Sequence, residues 1–124
     1  MNNYIYFYIF AIRKTYLFME IKFEKEYLKQ LYEEGKAKNK KYRFQKVIIR
    51  KYKNTIDKLR VAEKIEDLYV FKSLNYEKLI GDKKGVESVR VDQKYRIEFI
   101  SSIEGEEPNC ITICSIIELS NHYK

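Results

Sequence analysis

Arg90 and Arg96 are the residues of this 124-residue sequence whose placement most needs a chemical reason. They sit in Val89-Arg90-Val91 and Tyr95-Arg96-Ile97, two alternating runs on either side of Asp92-Gln93-Lys94. A two-residue turn between the runs would put Arg90 on the same face as Tyr95. A three-residue loop instead pairs Val91 with Tyr95 and Val89 with Ile97 and keeps the apolar face intact. That register sets Arg90 directly opposite Arg96 on the other face, where like charges destabilise a sheet. A bound phosphate is the simplest compensation, because guanidinium groups match its geometry and charge. The competing explanation is structural: both arginines pair with Glu98, Glu87 or another acid.

The charge distribution points the same way. Net charge is +7, and residues 36–60 hold eleven Lys and Arg against one acid, Asp57, so this block is +10 and the remainder is net acidic. A face this polarised attracts a polyanion: nucleic acid, an acidic protein or a membrane surface. A solvated lysine-rich helix explains the block equally well. Cys110 and Cys114 lie four residues apart in a β-like run, roughly 13 Å on one strand, too far to bridge each other. With a lone His122 and no Cys/His cluster, neither a metal site nor a cofactor is expected. Free thiols suit a reducing cytoplasm.

These residues need a scaffold, and the apolar periodicity supplies one. Glu20 to Phe23 reads as a short strand, and Glu24 to Glu34 as an amphipathic helix carrying Tyr27, Leu28, Leu31 and Tyr32, with Gly35 just past its end. A second, longer helix carries Phe44, Val47, Ile48, Tyr52, Ile56 and Leu59 as its apolar stripe, with Lys46, Arg50 and Lys53 among its basic residues. Leu68, Val70 and Phe71 are expected to pack over an edge of the core. From Tyr76 the pattern is strand-like: Glu77 to Ile80, the turn-rich Gly81 to Gly85, Val86 to Val91, Tyr95 to Ile100, a polar loop over Ser101 to Asn109, and Cys110 to Glu118. The last run is apolar on both faces, which places it inside the sheet. The order β-α-α-β-β-β-β predicts an α+β domain with two helices packed on a mostly antiparallel sheet. The length allows one core.

Residues 1–18 contain an apolar run of nine residues, Tyr4 to Ile12, against roughly 20 for a membrane helix, and Arg13 and Lys14 follow it where a secretory signal would have them precede. No membrane association is expected. Met19 opens MEIKFEKEYL, and we expect the domain, and translation, to begin there; mass spectrometry of the native N-terminus checks this.

The stretch from Tyr76 to Phe99, YEKLIGDKKGVESVRVDQKYRIEF, resembles the signature of HigB-like toxins in the RelE/ParE superfamily. That signature is a His-x-Leu-Lys-Gly-Asp-x-x-Gly turn followed by Ser-Ile-Arg-Val and Tyr-Arg-Ile strands. Leu79, Gly81, Asp82, Gly85, Ser88, Arg90, Val91, Tyr95, Arg96, Ile97 and Phe99 match in type and spacing, and the resemblance extends over Met19 to Lys124.

The resemblance implies a RelE-like fold and the toxin of a type II toxin–antitoxin pair. Such a toxin enters the A site of the ribosomal 30S subunit and cuts mRNA there without a metal, by attack of the ribose 2′-OH. Its partner is a small helix-turn-helix antitoxin of the HigA-like kind. Arg96 takes the position of the family's phosphate-stabilising arginine, with Arg90 as helper. Glu77 stands where the family has its first His, and Ile80 where it has Lys; Tyr76 and Lys78 flank those positions. The family's terminal Asp-Tyr-His is replaced here by a run from Glu118 to Tyr123 in which His122 is the candidate proton-transfer residue. Lys83, Lys84 and Lys78, with Lys46, Arg50 and Lys53 of the basic helix, are expected to contact RNA. Other outcomes compatible with the same residues are a ParE-like gyrase inhibitor, a non-catalytic RNA-binding domain and an inactive toxin.

Overall fold

A computed structural model describes residues 19–107 and 109–121. Strand β1 (Glu20–Phe23) leads into helix α1 (Glu26–Glu34), and a basic segment with a single turn at Lys40–Tyr42 leads into helix α2 (Lys46–Val61). Short turns at Ile65–Tyr69 and Lys72–Leu74 bring the chain to β2 (Glu77–Lys78), β3 (Glu87–Arg90), β4 (Tyr95–Glu104) and β5 (Ile111–Asn121). The five strands form one sheet in the order β1-β5-β4-β3-β2, with β1 parallel to β5 and every other neighbour antiparallel. This is the expected α+β arrangement of two helices on a mostly antiparallel sheet. Cys110 and Cys114 are free.

Each helix follows from its sequence. The stripe on α1 buries Tyr27, Leu28, Gln30 and Leu31, and Gly35 closes the helix in the left-handed conformation at φ 77°, its N–H donating to the Gln30 carbonyl. Helix α2 ends with Lys58 and Arg60 in its last turn, which complements the negative end of the helix dipole. Its buried stripe is Ile48, Ile49, Tyr52, Thr55, Ile56 and Leu59. The expected stripe is therefore rotated: Ile49 takes the inner position, and Val47, one residue into the helix, is 38% exposed. Tyr52 is fully buried and spans the two helices, its hydroxyl donating to the Leu28 carbonyl at 2.9 Å.

The core lies between the helices and one face of the sheet, where Val89, Ile97, Phe99, Cys114, Ile116 and Leu119 meet the helical stripes. Tyr27 stacks on Tyr42 with ring centroids 3.7 Å apart, and its hydroxyl accepts the Leu119 backbone N–H, tying α1 to β5. Burial is the main cause that pushes the Tyr27 phenol up to about 12.

Three expectations are corrected. Val70 is 76% exposed and Phe71 also faces solvent, because the short turns there point Leu68 and Leu74 inward instead. Ser101 to Glu104 is not loop: β4 runs on to Glu104 and pairs with β5 as far as Ile111, since backbone pairing with a long neighbour outweighs the polar side chains. The strand expected over Glu77 to Ile80 contracts to Glu77–Lys78, because Gly81–Lys83 turns the chain away.

Candidate nucleic-acid interface

The face of the sheet away from the helices carries the site. Arg90 pairs across the β3–β4 ladder with Arg96, and Val89 with Ile97. The intervening residues form a tight loop in which Val91 N–H donates to the Tyr95 carbonyl at 2.9 Å, and Asp92 Oδ1 accepts the N–H groups of Lys94 and Tyr95 at 2.8 and 2.7 Å. The register follows from the apolar alternation, and the Asp92 side chain fixes the loop length that the register requires.

Behind the arginines lies Glu98, two residues along β4 from Arg96 and only 2% exposed. Its Oε2 accepts Arg96 Nε at 3.0 Å, and its two oxygens accept Lys83 Nζ at 2.8 and 2.9 Å. Burial works against the Glu98 charge, but the hydrogen bonds from Lys83 and Arg96 outweigh it and hold the carboxyl below its usual range. Lys83 reaches this point from the Gly81–Lys83 turn, which is flanked by Gly81 at φ 69° and Gly85 at φ 95°. Few side chains tolerate those angles, so the glycines set where Lys83 emerges. A bulge between Glu98 and Phe99 lets Phe99 face Ile116 in the core while Glu98 faces Glu118 on the opposite side.

Arg90, in contrast, is exposed and has no side-chain hydrogen bond or ion pair among the described residues. Glu77 and Asp92 line the same depression, so the acids balance the cations in number, and Arg90 is the cation of the patch that no acid engages among the described residues. The structural explanation for the pair therefore accounts for Arg96 and not for Arg90.

Glu77 pairs with Ser88 and lies beside the arginines, lining a shallow depression with Asn75, Ser88, Arg90 and Arg96. Asn75, in the left-handed conformation at φ 43°, donates from Nδ2 to Glu77 Oε1 at 3.1 Å. Lys78 pairs with Glu87 and lines a separate groove with Lys64, Glu66 and Ser101, so the structure does not bring it to the arginines. Lys84 is exposed at the end of the glycine turn. Lys46 and Arg50 are exposed on α2 and Lys53 is half-buried; none of the three lines the arginine depression. His122 lies outside the described residues. Among the described residues no cluster of His, Cys, Asp or Glu is placed to hold a metal ion, and no helix is long and apolar enough to cross a membrane.

Sequence reasoning missed two features. It named Glu98 only as a possible partner for arginine, not as the buried group joining Lys83 to Arg96, although Arg-x-Glu on one strand places both side chains on one face. It also missed Asn75, which only the backbone angles mark out.

A model of the HigB-like toxin family, described as the RelE-like toxin of the type II toxin–antitoxin system HigB, matches residues 21–116. No curated protein sequence matches the chain. Among solved structures, it is similar to a YoeB/ParE toxin from Agrobacterium tumefaciens, at 17% identity and a TM-score of 0.49, covering 85% of this chain and 100% of that one. At that distance the likeness says nothing of the site. The match over residues 21–116 takes in both helices, the glycine turn and the arginine pair, and the chain belongs to the HigB-like family of RelE-like type II toxins.

Proposed function

We propose that the protein is a ribosome-dependent endoribonuclease that cuts mRNA in the A site, held in check by a helix-turn-helix antitoxin. The observation that carries the reading is the opposed pair Arg90 and Arg96, with Arg96 positioned from behind by Glu98 and Arg90 left without a partner among the described residues. A patch that costs the sheet stability is best explained by an anion that joins it.

The chemistry is an in-line transfer. The ribose 2′-oxygen attacks phosphorus, the bond to the 5′-oxygen of the next nucleotide breaks, and a 2′,3′-cyclic phosphate remains. Arg96 and Arg90 offset the extra charge on the phosphorane. Glu77, next to both, takes the proton of the 2′-OH, and His122 supplies one to the departing 5′-oxygen. Lys83 sits at the edge of the same patch, where the RNA backbone would pass, with Lys84 beside it in sequence. The basic helix, through Lys46, Arg50 and Lys53, faces ribosomal RNA.

The test is purified ribosomes carrying a defined mRNA, in which the A-site codon holds either ribose or 2′-deoxyribose. The expected result is cleavage of the ribose message alone, leaving a cyclic phosphate. Cleavage of both messages, or of neither, contradicts the proposal.

A further inference from the structure

A second concavity adjoins the arginine depression. A groove of about 600 Å³ runs between the start of α2 and the loop joining β3 to β4, and Arg90 borders both it and the depression. Its size is within the roughly 300–1,000 Å³ typical of ligand sites. Arg43, Lys51, Arg90 and Lys94 stand around it against one acid, Asp92, whose Oδ1 is already engaged with two backbone N–H groups of its own loop. Two half-buried rings, Phe44 and Tyr95, form part of its wall, held edge to face with centroids 5.7 Å apart at 77°.

Cations around a pair of fixed aromatic rings are what single-stranded nucleic acid binds: the charges follow the backbone and a ring accepts a base face. We propose that this groove is an RNA subsite, seating a nucleotide next to the scissile phosphate with its base against Phe44 and Tyr95. The inference rests on the ribonuclease reading above and adds to it a place where base identity is sensed. Arg43, Lys51 and Lys94 serve the RNA backbone, and Arg90 joins the subsite to the reacting phosphate. An acidic protein segment would also meet the charges. It would gain little from the fixed edge-to-face rings or from continuity with the arginine pair, so RNA is the better occupant.

The test uses the full chain and a short fluorescein-labelled RNA methylated at every 2′-oxygen, which binds but cannot be cut. The variants are Arg43→Glu with Lys51→Glu, both at exposed positions, and Tyr95→Leu. Each is expected to weaken binding by about ten-fold or more, with the thermal midpoint of the charge-reversed protein unchanged. RNA affinity equal to wild type in the charge-reversed protein overturns the subsite. So does a charge-reversed protein that keeps RNA but loses its antitoxin, which would make the groove a protein-docking site. Cleavage on programmed ribosomes, measured in parallel with Arg96→Ala, separates the two ideas. If groove variants bind RNA normally while Arg96→Ala stops cleavage, the subsite falls and the ribonuclease stands. If RNA binding depends on the groove but wild type cleaves nothing, the ribonuclease reading falls and the groove is an RNA-binding site alone.

Discussion

Glu98 accepts a 3.0 Å hydrogen bond from Arg96 Nε while itself almost completely buried. The guanidinium is thereby anchored at Nε by a charge-assisted bond, which orients it as positioning of a phosphate requires. Glu98 acts on Arg96 and not on Arg90, so the two arginines are held differently.

Replacing Glu98 with Gln removes the charge that both Lys83 and Arg96 engage. Both partners keep some solvent, so we expect a loss of about 1–3 kcal/mol in stability by urea unfolding, less than for a wholly buried pair. Cleavage on programmed ribosomes should fall on the order of ten- to a hundred-fold because the charge-assisted bond that orients Arg96 is weakened. Wild-type cleavage by the variant would show that Arg96 does not depend on this contact.

Arg90 should behave oppositely on the two scales. With no side-chain partner among the described residues and a like charge opposite, Arg90→Ala should leave stability unchanged or raise it by about 0.2–1 kcal/mol. Cleavage should drop on the order of a hundred-fold. A marked loss of stability would mean that Arg90 is a structural residue.

The Glu98 carboxyl also fixes a pH dependence. Its folded-state pKa lies below the ordinary value of 4.5, so the folded form binds the proton less readily than the unfolded form. The resulting stability is fully present above about pH 5.5 and is lost as pH falls below 4.5 through the folded-state pKa. Urea midpoints taken from pH 6 to pH 3 should fall more steeply for wild type than for Glu98→Gln, and parallel curves would refute the assignment.

Tyr76 tests the opposite face of the same strands. Its hydroxyl donates to Glu87 Oε1 at 2.6 Å, and the other Glu87 oxygen accepts the Ser101 N–H and hydroxyl at 2.8 and 2.6 Å. Burial, then the bond to Glu87, pushes the Tyr76 phenol well above its usual range, so it remains a donor at neutral pH. Tyr76→Phe leaves one oxygen of a buried carboxylate short of a partner and should cost about 1–3 kcal/mol in urea unfolding. Cleavage per folded molecule should not change. A fall in cleavage without a fall in stability would place Tyr76 in the chemistry.

Much of the sheet was legible in the sequence because its alternation is unbroken where it matters. Val89, Val91, Tyr95 and Ile97 admit one register with a three-residue loop, and that register alone opposes the arginines. The strand at Glu20–Phe23 and the cap at Gly35 were equally plain. The extent of β4 was not, since Ser101, Ser102 and Glu104 look like loop until β5 is known to run beside them. Periodicity also could not choose between Val47 and Ile49, which flank Ile48 on opposite edges of the same stripe; Ile49 is buried and Val47 is exposed. The Lys83–Glu98 contact joins residues fifteen apart through a glycine turn, and no local pattern encodes it.

The most direct test of the central claim is induced expression of the full chain beside its Arg96→Ala variant, with 5′ ends mapped on an abundant mRNA. Growth arrest with new ends inside translated codons, present for wild type and absent for Arg96→Ala, is the predicted result. Arrest with intact mRNA, or identical ends from both proteins, would contradict it.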